Sequence, residues 1–303
     1  MTGLLVLFSN NLLPIFLAAG AGYLLASWRQ VNPHTLSQVI FYIFSPCLIF
    51  NLLTHSRLSD GDILLMIAFT GLTAVCVGLI AWLAGRLLKL ERSVLAAVLI
   101  TSIFLNAGNF GLPVVLFAFG DAALSFASLY FVTNATLAYT LGVVIASLGT
   151  TGFTQALANL VKIPVIYALV LAFLFMRTGW QLPLPLERTT QLFADASIPA
   201  MLVLLGFQLR NVQWAGKATP VALASTLRLL VGPGVALALS LVFGLQGPAY
   251  QAGILESAMP SAVLGTVLAT QYNTEPSLVT AIVFTTTLLS PLTLTPLLAF
   301  LAG

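Results

Sequence analysis

Apolar runs of about 20 residues recur along the whole chain, and short polar or Gly/Pro-containing connections separate them. A run of this length lets an α-helix cross a lipid bilayer, whereas a membrane β-barrel would alternate apolar and polar positions. The pattern therefore predicts an all-α polytopic membrane protein with ten spans. They are expected at residues 4–27, 35–54, 62–85, 93–119, 122–148, 157–176, 188–208, 219–243, 249–271 and 277–301.

The composition supports this prediction and excludes a soluble domain. Only 6% of the residues are charged and the mean hydropathy is +1.06, whereas soluble domains have roughly 25% charged residues. The partner is therefore the lipid bilayer, and the pI near 9 does not indicate nucleic-acid binding. The few basic residues lie mostly in the short loops, where they set the orientation.

The loops and span ends on one side of the membrane are richer in Lys and Arg. That side has seven such residues and the other has three: Arg29, Arg86, Lys89, Arg92, Lys162, Arg210 and Lys217 against Arg57, Arg177 and Arg188. Because cytoplasmic loops carry an excess of Lys and Arg, the richer side is predicted to be cytoplasmic. Both termini are then extracytoplasmic, and the expected location is the plasma membrane, the inner membrane in bacteria.

Matching residues in the two halves of the chain indicate an internal repeat of five spans, over residues 1–150 and 151–303. The pairs are Gln38 with Gln191 and Pro46 with Pro199, both shifted by 153 residues, and Pro113 with Pro260, shifted by 147. Since five is odd, the second half enters the membrane inverted. Inverted repeats are typical of secondary transporters, whose binding sites lie at the repeat interface.

The fourth span contains the most polar cluster that lies within an apolar run, "LNAGNFGLPV". Irregular backbone within a bilayer is tolerated only where protein or a water-filled cavity covers it. Pro113 removes a hydrogen-bond donor, and Gly108 and Gly111 weaken the helix further. We therefore expect two half-helices that meet near residues 108–113. The free N–H groups there, together with Asn106 and Asn109 on one helical face, would suit an anion.

The ninth span repeats this arrangement in "ILESAMPSAV". Glu256 precedes Pro260 by four residues, as Asn109 precedes Pro113, and Ser257 and Ser261 are also candidate substrate-binding residues. An ionisable group at membrane depth costs at least about 2.5 kcal/mol and indicates a function. If the two breaks cross, Asn109 and Glu256 face one site. Glu256 could bind a cation such as Na⁺ or carry a proton, and the sequence favours neither. No other metal and no cofactor is predicted.

Several polar residues and prolines have alternative interpretations. A proline in a membrane helix can be only a kink, and a buried Asn can be a packing residue between helices. Arg228 could pair with a carboxylate, attract an anion or extend to the cytoplasmic face. Asp195 could lie near the site or at the outer interface. The remaining candidates for the cavity wall or the site are Tyr130, Asn134, Pro46 and Pro199.

The motifs "NAGNFGLPV", "RLLVGP", "AMPSAVLGTVLATQYN" and "TTTLLSPLTLTP" resemble the auxin efflux carrier family over essentially the whole chain. The short middle connection at residues 149–156 is similar to that of short bacterial members. The resemblance implies ten helices in two inverted repeats with broken, crossing helices 4 and 9, similar to the bile acid sodium symporter fold. It also implies a homodimeric scaffold from helices 1, 2, 6 and 7, and a transport domain from helices 3–5 and 8–10 that moves as an elevator.

The resemblance further implies a small organic anion as substrate, such as malate, malonate or an auxin-like acid. Asn109 and Pro113 match the family's fourth-helix crossover, and Pro260 matches the ninth. The plant exporters tend to have an uncharged residue at Glu256, and a carboxylate there resembles the sodium-coordinating glutamate of bile acid symporters. This favours coupling to Na⁺ or H⁺. The alternatives are an uncoupled uniporter or channel-like anion pathway, or a sodium-coupled bile-acid-like symporter.

An enzyme is not expected. The chain has no HExxH or GxSxG motif, and Asp195 is the only aspartate in the interior of a predicted span, which disfavours an intramembrane hydrolase.

Overall fold

The computed structural model describes residues 2–56, 58–147, 163–210 and 217–302. Over these residues the chain is helical and has no β-strand, only one isolated β-bridge. The helices are α1 (Gly3–Trp28), α2 (Pro33–His55), α3 (Asp60–Leu87), α4 (Arg92–Ile103), α5 (Ala107–Ala146), α6 (Pro164–Thr178), α7 (Leu184–Leu209), α8 (Ala218–Phe243), α9 (Gly247–Ser257), α10 (Leu264–Gln271) and α11 (Pro276–Ala302).

Seven of the described helices, α1, α2, α3, α5, α7, α8 and α11, are long and apolar enough to cross a membrane. The predicted all-α membrane architecture is confirmed to this extent. The count is below ten because the predicted fourth and ninth spans are interrupted, and because α6 begins only at Pro164, after the extended residue Ile163, and is 15 residues long. Arg57, Lys162, the predicted start of the sixth span and the boundary between the two predicted halves lie outside the described residues. The inverted repeat of ten spans stays a prediction.

Local sequence explains where several helices begin, bend and end. Ser59 starts α3 with a reciprocal cap, because its Oγ accepts from Asp62 N at 3.2 Å and its N–H donates to the Asp62 carboxylate at 2.8 Å. Gly179, in the left-handed conformation, ends α6. Gly120, with φ of 73° and ψ of −168°, bends α5 at the point where the fourth and fifth predicted spans connect.

Wide π-helical turns precede prolines inside the helices. Four such turns each end two residues before a proline: Phe8–Leu12 before Pro14, Ile40–Phe44 before Pro46, Ala107–Gly111 before Pro113 and Leu227–Val231 before Pro233. Proline has no N–H for the carbonyl four residues earlier, and its ring crowds that carbonyl. A turn with one extra residue moves the carbonyl away, so these helices continue past the proline.

The helices pack in two groups. The first group is α1, α2, α6 and α7, and the second is α3, α4, α5 and α8–α11. In the first group α1 and α7 approach at backbone distance, because a Cβ on either Gly22 or Gly206 would overlap backbone atoms of the facing helix. The helix α5 contacts both groups, and an ion pair between Asp60 of α3 and Arg177 of α6 also joins them.

Candidate functional site

The two interrupted segments lie against each other. Residues 104–106 separate α4 from α5, and residues 258–263 separate α9 from α10. Asn106 N donates to Pro260 O at 2.8 Å, and Ala262 N donates to Phe104 O at 3.0 Å. These bonds flank an antiparallel bridge between Leu105 and Ser261. The structure therefore confirms that the two breaks meet, and we call this pairing of residues 104–106 with 258–263 the crossing.

The first break lies earlier than the sequence predicted. The expected position was residues 108–113, but the non-helical residues are 104–106, and Phe104 is extended with φ of −96° and ψ of 123°. Gly108 and Gly111 lie in the π-helical turn that opens α5, and Pro113 follows within the helix. The prediction was wrong because it assigned the break to the proline, whereas the wide turn accommodates that proline.

Side chains from other helices complete the hydrogen bonds of the crossing. Asn134 Nδ2 donates to Leu105 O at 3.0 Å, and Ser261 Oγ donates to Thr101 O at 2.7 Å. The Ser261 N–H in turn donates to Thr286 Oγ1 at 3.1 Å. The irregular backbone is thus covered by protein, as a bilayer interior requires. The hydroxyl and the N–H of Ser261, a predicted substrate-binding residue, are both engaged in this structural role.

A cleft of about 330 Å³ lies between the two groups of helices. Residues of α2 and α7 form one wall, and residues of the crossing, α5 and α10 form the other. Four predicted site residues, Asn106, Gly108, Asn109 and Asn134, line it. The other polar residues in the wall were not predicted from the sequence as site residues; they are His34, Ser37, Gln38, Tyr42, Ser45, Tyr139 and Gln208. Gln38 was noted only as part of the repeat.

The N-terminal ends of two half-helices face this cleft. In α5 the first intrahelical hydrogen bond runs from Gly111 N to Asn106 O at 2.9 Å, so the preceding amides of residues 107–110 have no earlier acceptor within the helix. Val263 and Leu264, at the start of α10, also line the cleft. Helix N-termini carry a partial positive charge. The described residues of its wall include no Asp, Glu, Lys or Arg, so the cleft offers amide and helix-dipole groups suited to an anion.

Glu256 lies beside the crossing and is not part of the cleft wall. Its side chain is in the last turn of α9 and is 0% exposed. Neither carboxylate oxygen has a hydrogen-bond partner among the described residues. The carboxylate packs on Gly111, since a Cβ at that position would overlap it. The structure therefore does not bring Asn109 and Glu256 to one cavity, because Asn109 faces the cleft and Glu256 faces the π-helical turn.

The unpaired carboxylate of Glu256 fits a bound cation or proton, since a buried charge without a partner is costly. The described residues contain no group of three or more His, Cys, Asp and Glu side chains that could hold a metal ion. A cation beside Glu256 would therefore take its other ligands from hydroxyl, amide or carbonyl oxygens. Two other polar atoms, Asn106 Nδ2 in the crossing and Ser102 Oγ near the end of α4, are also buried and have no hydrogen-bond partner among the described residues.

Arg228 occupies a position that none of the sequence interpretations anticipated. It lies in the π-helical turn of α8 and is 1% exposed, so it does not extend to the membrane surface. Its Nη1 donates to Ser102 O at 2.7 Å, and its Nη2 donates to Ser257 O. No ion pair of Arg228 with a carboxylate occurs in the described part of the chain.

The remaining predicted site residues do not line the cleft. Tyr130 is buried in α5, close enough to Arg228 and Glu256 to interact electrostatically with both. Pro260 is part of the crossing and Ser257 directly precedes it, whereas Gly111 and Pro113 lie in the first turns of α5. Pro46 lies within α2, and Asp195 and Pro199 are exposed on α7. Asp195 accepts a hydrogen bond from Gln191 at 2.6 Å.

Membrane-length helices and two interrupted segments that meet inside the bundle are typical of membrane transport proteins. The sequence profile of one family, described as membrane transport protein, matches residues 7–298. The chain therefore belongs to this family, and the resemblance to the auxin efflux carriers is confirmed.

The chain is similar to an uncharacterized transporter of Methanothermobacter thermautotrophicus, with 28% identity over 86% of each chain. An uncharacterized transporter of Methanocaldococcus jannaschii is 26% identical over 86% of this chain and 87% of its own length. The probable auxin efflux carrier component 1b of Oryza sativa is 30% identical, but over only 39% of this chain and 22% of its own length. The protein is thus an integral membrane transporter, not an enzyme.

Proposed function

We propose that this protein is a secondary transporter of small organic carboxylates and that it binds them in the cleft. The observation that carries the proposal is the convergence of two half-helix N-termini with Asn106, Asn109 and Asn134 in the wall of one cleft. These groups donate hydrogen bonds and supply partial positive charge without a fixed cation. The cleft volume of about 330 Å³ fits a solute such as malate or malonate. The plant relatives named as auxin efflux carriers support an organic solute.

The proposed mechanism is alternating access between two helix groups. The cleft reaches from the crossing to His34 at the start of α2, whereas the Asp60–Arg177 ion pair joins the groups beyond the other end of α2. One-sided access of this kind supports a substrate site that opens in turn to each face. In this proposal α1, α2, α6 and α7 are the scaffold of a homodimer, and the other helices move as an elevator.

The antiparallel pairing at the crossing supports two inverted five-helix repeats, since segments of inverted halves meet in opposite directions. Ten spans then place both termini outside the cytoplasm. The basic side, to which the cleft opens, faces inward across the plasma membrane.

The proposal includes coupling to Na⁺ or H⁺ through Glu256. Its buried carboxylate has no hydrogen-bond partner in the described part of the chain, which supports a cation or proton that binds together with the substrate. The contact with Gly111 links this position to the half-helix whose N-terminus faces the cleft. An uncoupled uniporter or a channel is the second candidate. Saturable uptake into proteoliposomes, accelerated by one ion gradient, supports the coupled transporter, and flux that rises linearly with concentration contradicts it.

We expect Asn109→Ala to weaken carboxylate binding about ten-fold or more, because a hydrogen bond to a charged group contributes roughly 1.5–3 kcal/mol. The measurement is a thermal-shift titration of the purified protein with a panel of mono- and dicarboxylates, with and without Na⁺. A bound ligand raises the melting temperature by mass action, so the panel identifies the substrate class.

The matched control is Gln191→Ala, which removes an amide side chain from α7 outside the cleft. Its titration curve should coincide with that of the unmodified protein. Equal affinities of Asn109→Ala and the unmodified protein would exclude Asn109 from the binding site. The absence of a shift with every carboxylate would contradict the proposed substrate class.

A further inference from the structure

We infer that Arg228 is a positioning residue that fixes the crossing by joining the C-terminal ends of both broken helices. Ser102 is the second-last residue of α4, and Ser257 is the last residue of α9. The guanidinium donates to the carbonyls of both, one from each half of the chain. The inference rests on the proposed function for its effect on transport, and on contacts within this chain for its structural part.

Two features of a helix C-terminus explain why a guanidinium is suited to this position. The last four carbonyls of a helix have no intrahelical donor, and in a bilayer interior water does not replace it. The C-terminus also carries a partial negative charge, which a cation stabilises. A planar guanidinium with two separate terminal nitrogens serves two carbonyls at once. Arg228 therefore satisfies both helix ends from a third helix, α8.

The backbone of α8 is shaped around this guanidinium. A Cβ at Gly232 would lie 3.1 Å from Arg228 Cζ and 3.2 Å from Ser257 O, and it would overlap Nη2. Gly232 is thus the residue that leaves room for the contact with α9. By contrast, a Cβ at Gly234, two residues later in α8, would have nothing within 4 Å.

The two ends of the half-helices have complementary roles in this arrangement. The N-termini of α5 and α10 face the cleft, and the C-termini of α4 and α9 face Arg228. The positive charge of Arg228 is engaged by carbonyls and is not in the cleft wall, so Arg228 does not bind the substrate directly. Through the crossing, residues 104–106 and 258–263, Arg228 fixes the position of the last turn of α9, which carries Glu256, relative to the N-terminus of α5.

The test uses the intact purified protein without substrate and follows hydrogen–deuterium exchange at the crossing. The amides of Asn106 and Ala262 report it, because both donate hydrogen bonds between the two breaks. We expect Arg228→Gln, Arg228→Lys and Gly232→Ala each to accelerate exchange at these amides about ten-fold or more. Arg228→Lys keeps the charge but loses the guanidinium that donates to two carbonyls at once. Gly232→Ala removes no polar group.

Two matched controls separate this effect from general destabilisation. Gly234→Ala adds a methyl group to the same helix in open space, and Arg210→Lys alters an arginine that donates to Ala26 O of α1. Both should exchange like the unmodified protein at the crossing. Unchanged exchange at Asn106 and Ala262 in folded Gly232→Ala and Arg228→Lys would overturn the inference.

Uptake assays distinguish failure of this inference from failure of the proposed function. With a transported carboxylate, the positioning role predicts a half-saturation concentration at least about ten-fold higher in both Arg228→Lys and Arg228→Gln. Normal uptake by Arg228→Lys would show that only the charge matters and would overturn the positioning role. If no carboxylate is transported by the unmodified protein, the proposed function fails, while accelerated exchange in the variants still supports the structural inference.

Discussion

Replacing Glu256 with Gln is expected to abolish the dependence of uptake on the coupling ion while the protein remains folded. The two side chains have nearly the same shape, so Gln fits against Gly111 without displacing α5. The substitution removes the negative charge and the exchangeable proton. A buried carboxylate without a hydrogen-bond partner is also costly, so its loss should not lower thermal stability. The measurement is uptake into proteoliposomes with an imposed Na⁺ gradient or pH gradient.

The gradient that accelerates uptake by the unmodified protein should have no effect on the Glu256→Gln variant. Exchange of substrate across the membrane in the absence of a gradient should persist. Glu187→Gln is the matched control, because Glu187 is an exposed glutamate in the first turn of α7. It should keep the full gradient dependence. If Glu256→Gln retains the same Na⁺ or pH dependence, Glu256 does not couple transport to the ion. If uptake by the unmodified protein depends on neither gradient, the result favours the uniporter instead.

The two breaks were predictable because their residues conflict with a continuous membrane helix. Asparagine, glycine and proline together in an apolar run indicate irregular backbone that other parts of the protein must cover. Their meeting was expected from the resemblance to the auxin efflux carriers, whereas the shared spacing around Pro113 and Pro260 left it open. The exact position was not predictable, because whether a proline breaks a helix or is accommodated by a π-helical turn depends on the neighbouring helices. The structure accommodates Pro113 and breaks the chain at residues 104–106.

Contacts between distant parts of the chain could not be predicted from the spacing of residues in the sequence. The interpretations of Arg228 considered its charge, but its partners are two backbone carbonyls 126 and 29 residues away. Nothing in a sequence marks a carbonyl as unpaired. Similarly, Gln208 and Tyr139 became part of the cleft only through the packing of α7 and α5. Asn109 and Glu256 were expected in one cavity because spacing from a proline does not define which neighbour a side chain meets.

Gly206→Ala is expected to destabilise the protein strongly by separating α1 from α7. A Cβ at this position would overlap Ala19 O and lie 2.6 Å from Tyr23 N, and both are backbone atoms that cannot rotate away. Small residues allow membrane helices to pack at backbone distance, and this packing stabilises them in the absence of a hydrophobic driving force. Overpacking typically costs about 1–3 kcal/mol. The measurement is the fraction of detergent-solubilised protein that stays monodisperse after heating.

The substitution Gly20→Ala provides the control for Gly206→Ala. A Cβ at Gly20, in α1, would have nothing within 4 Å, so this variant should be as stable as the unmodified protein or slightly more stable. Carboxylate affinity should also fall in Gly206→Ala, because the neighbouring residues Leu204 and Gln208 of α7 line the cleft. Equal heat resistance of the two variants would show that α1 and α7 can separate freely. The first helix group would then be too flexible to serve as the rigid scaffold in alternating access.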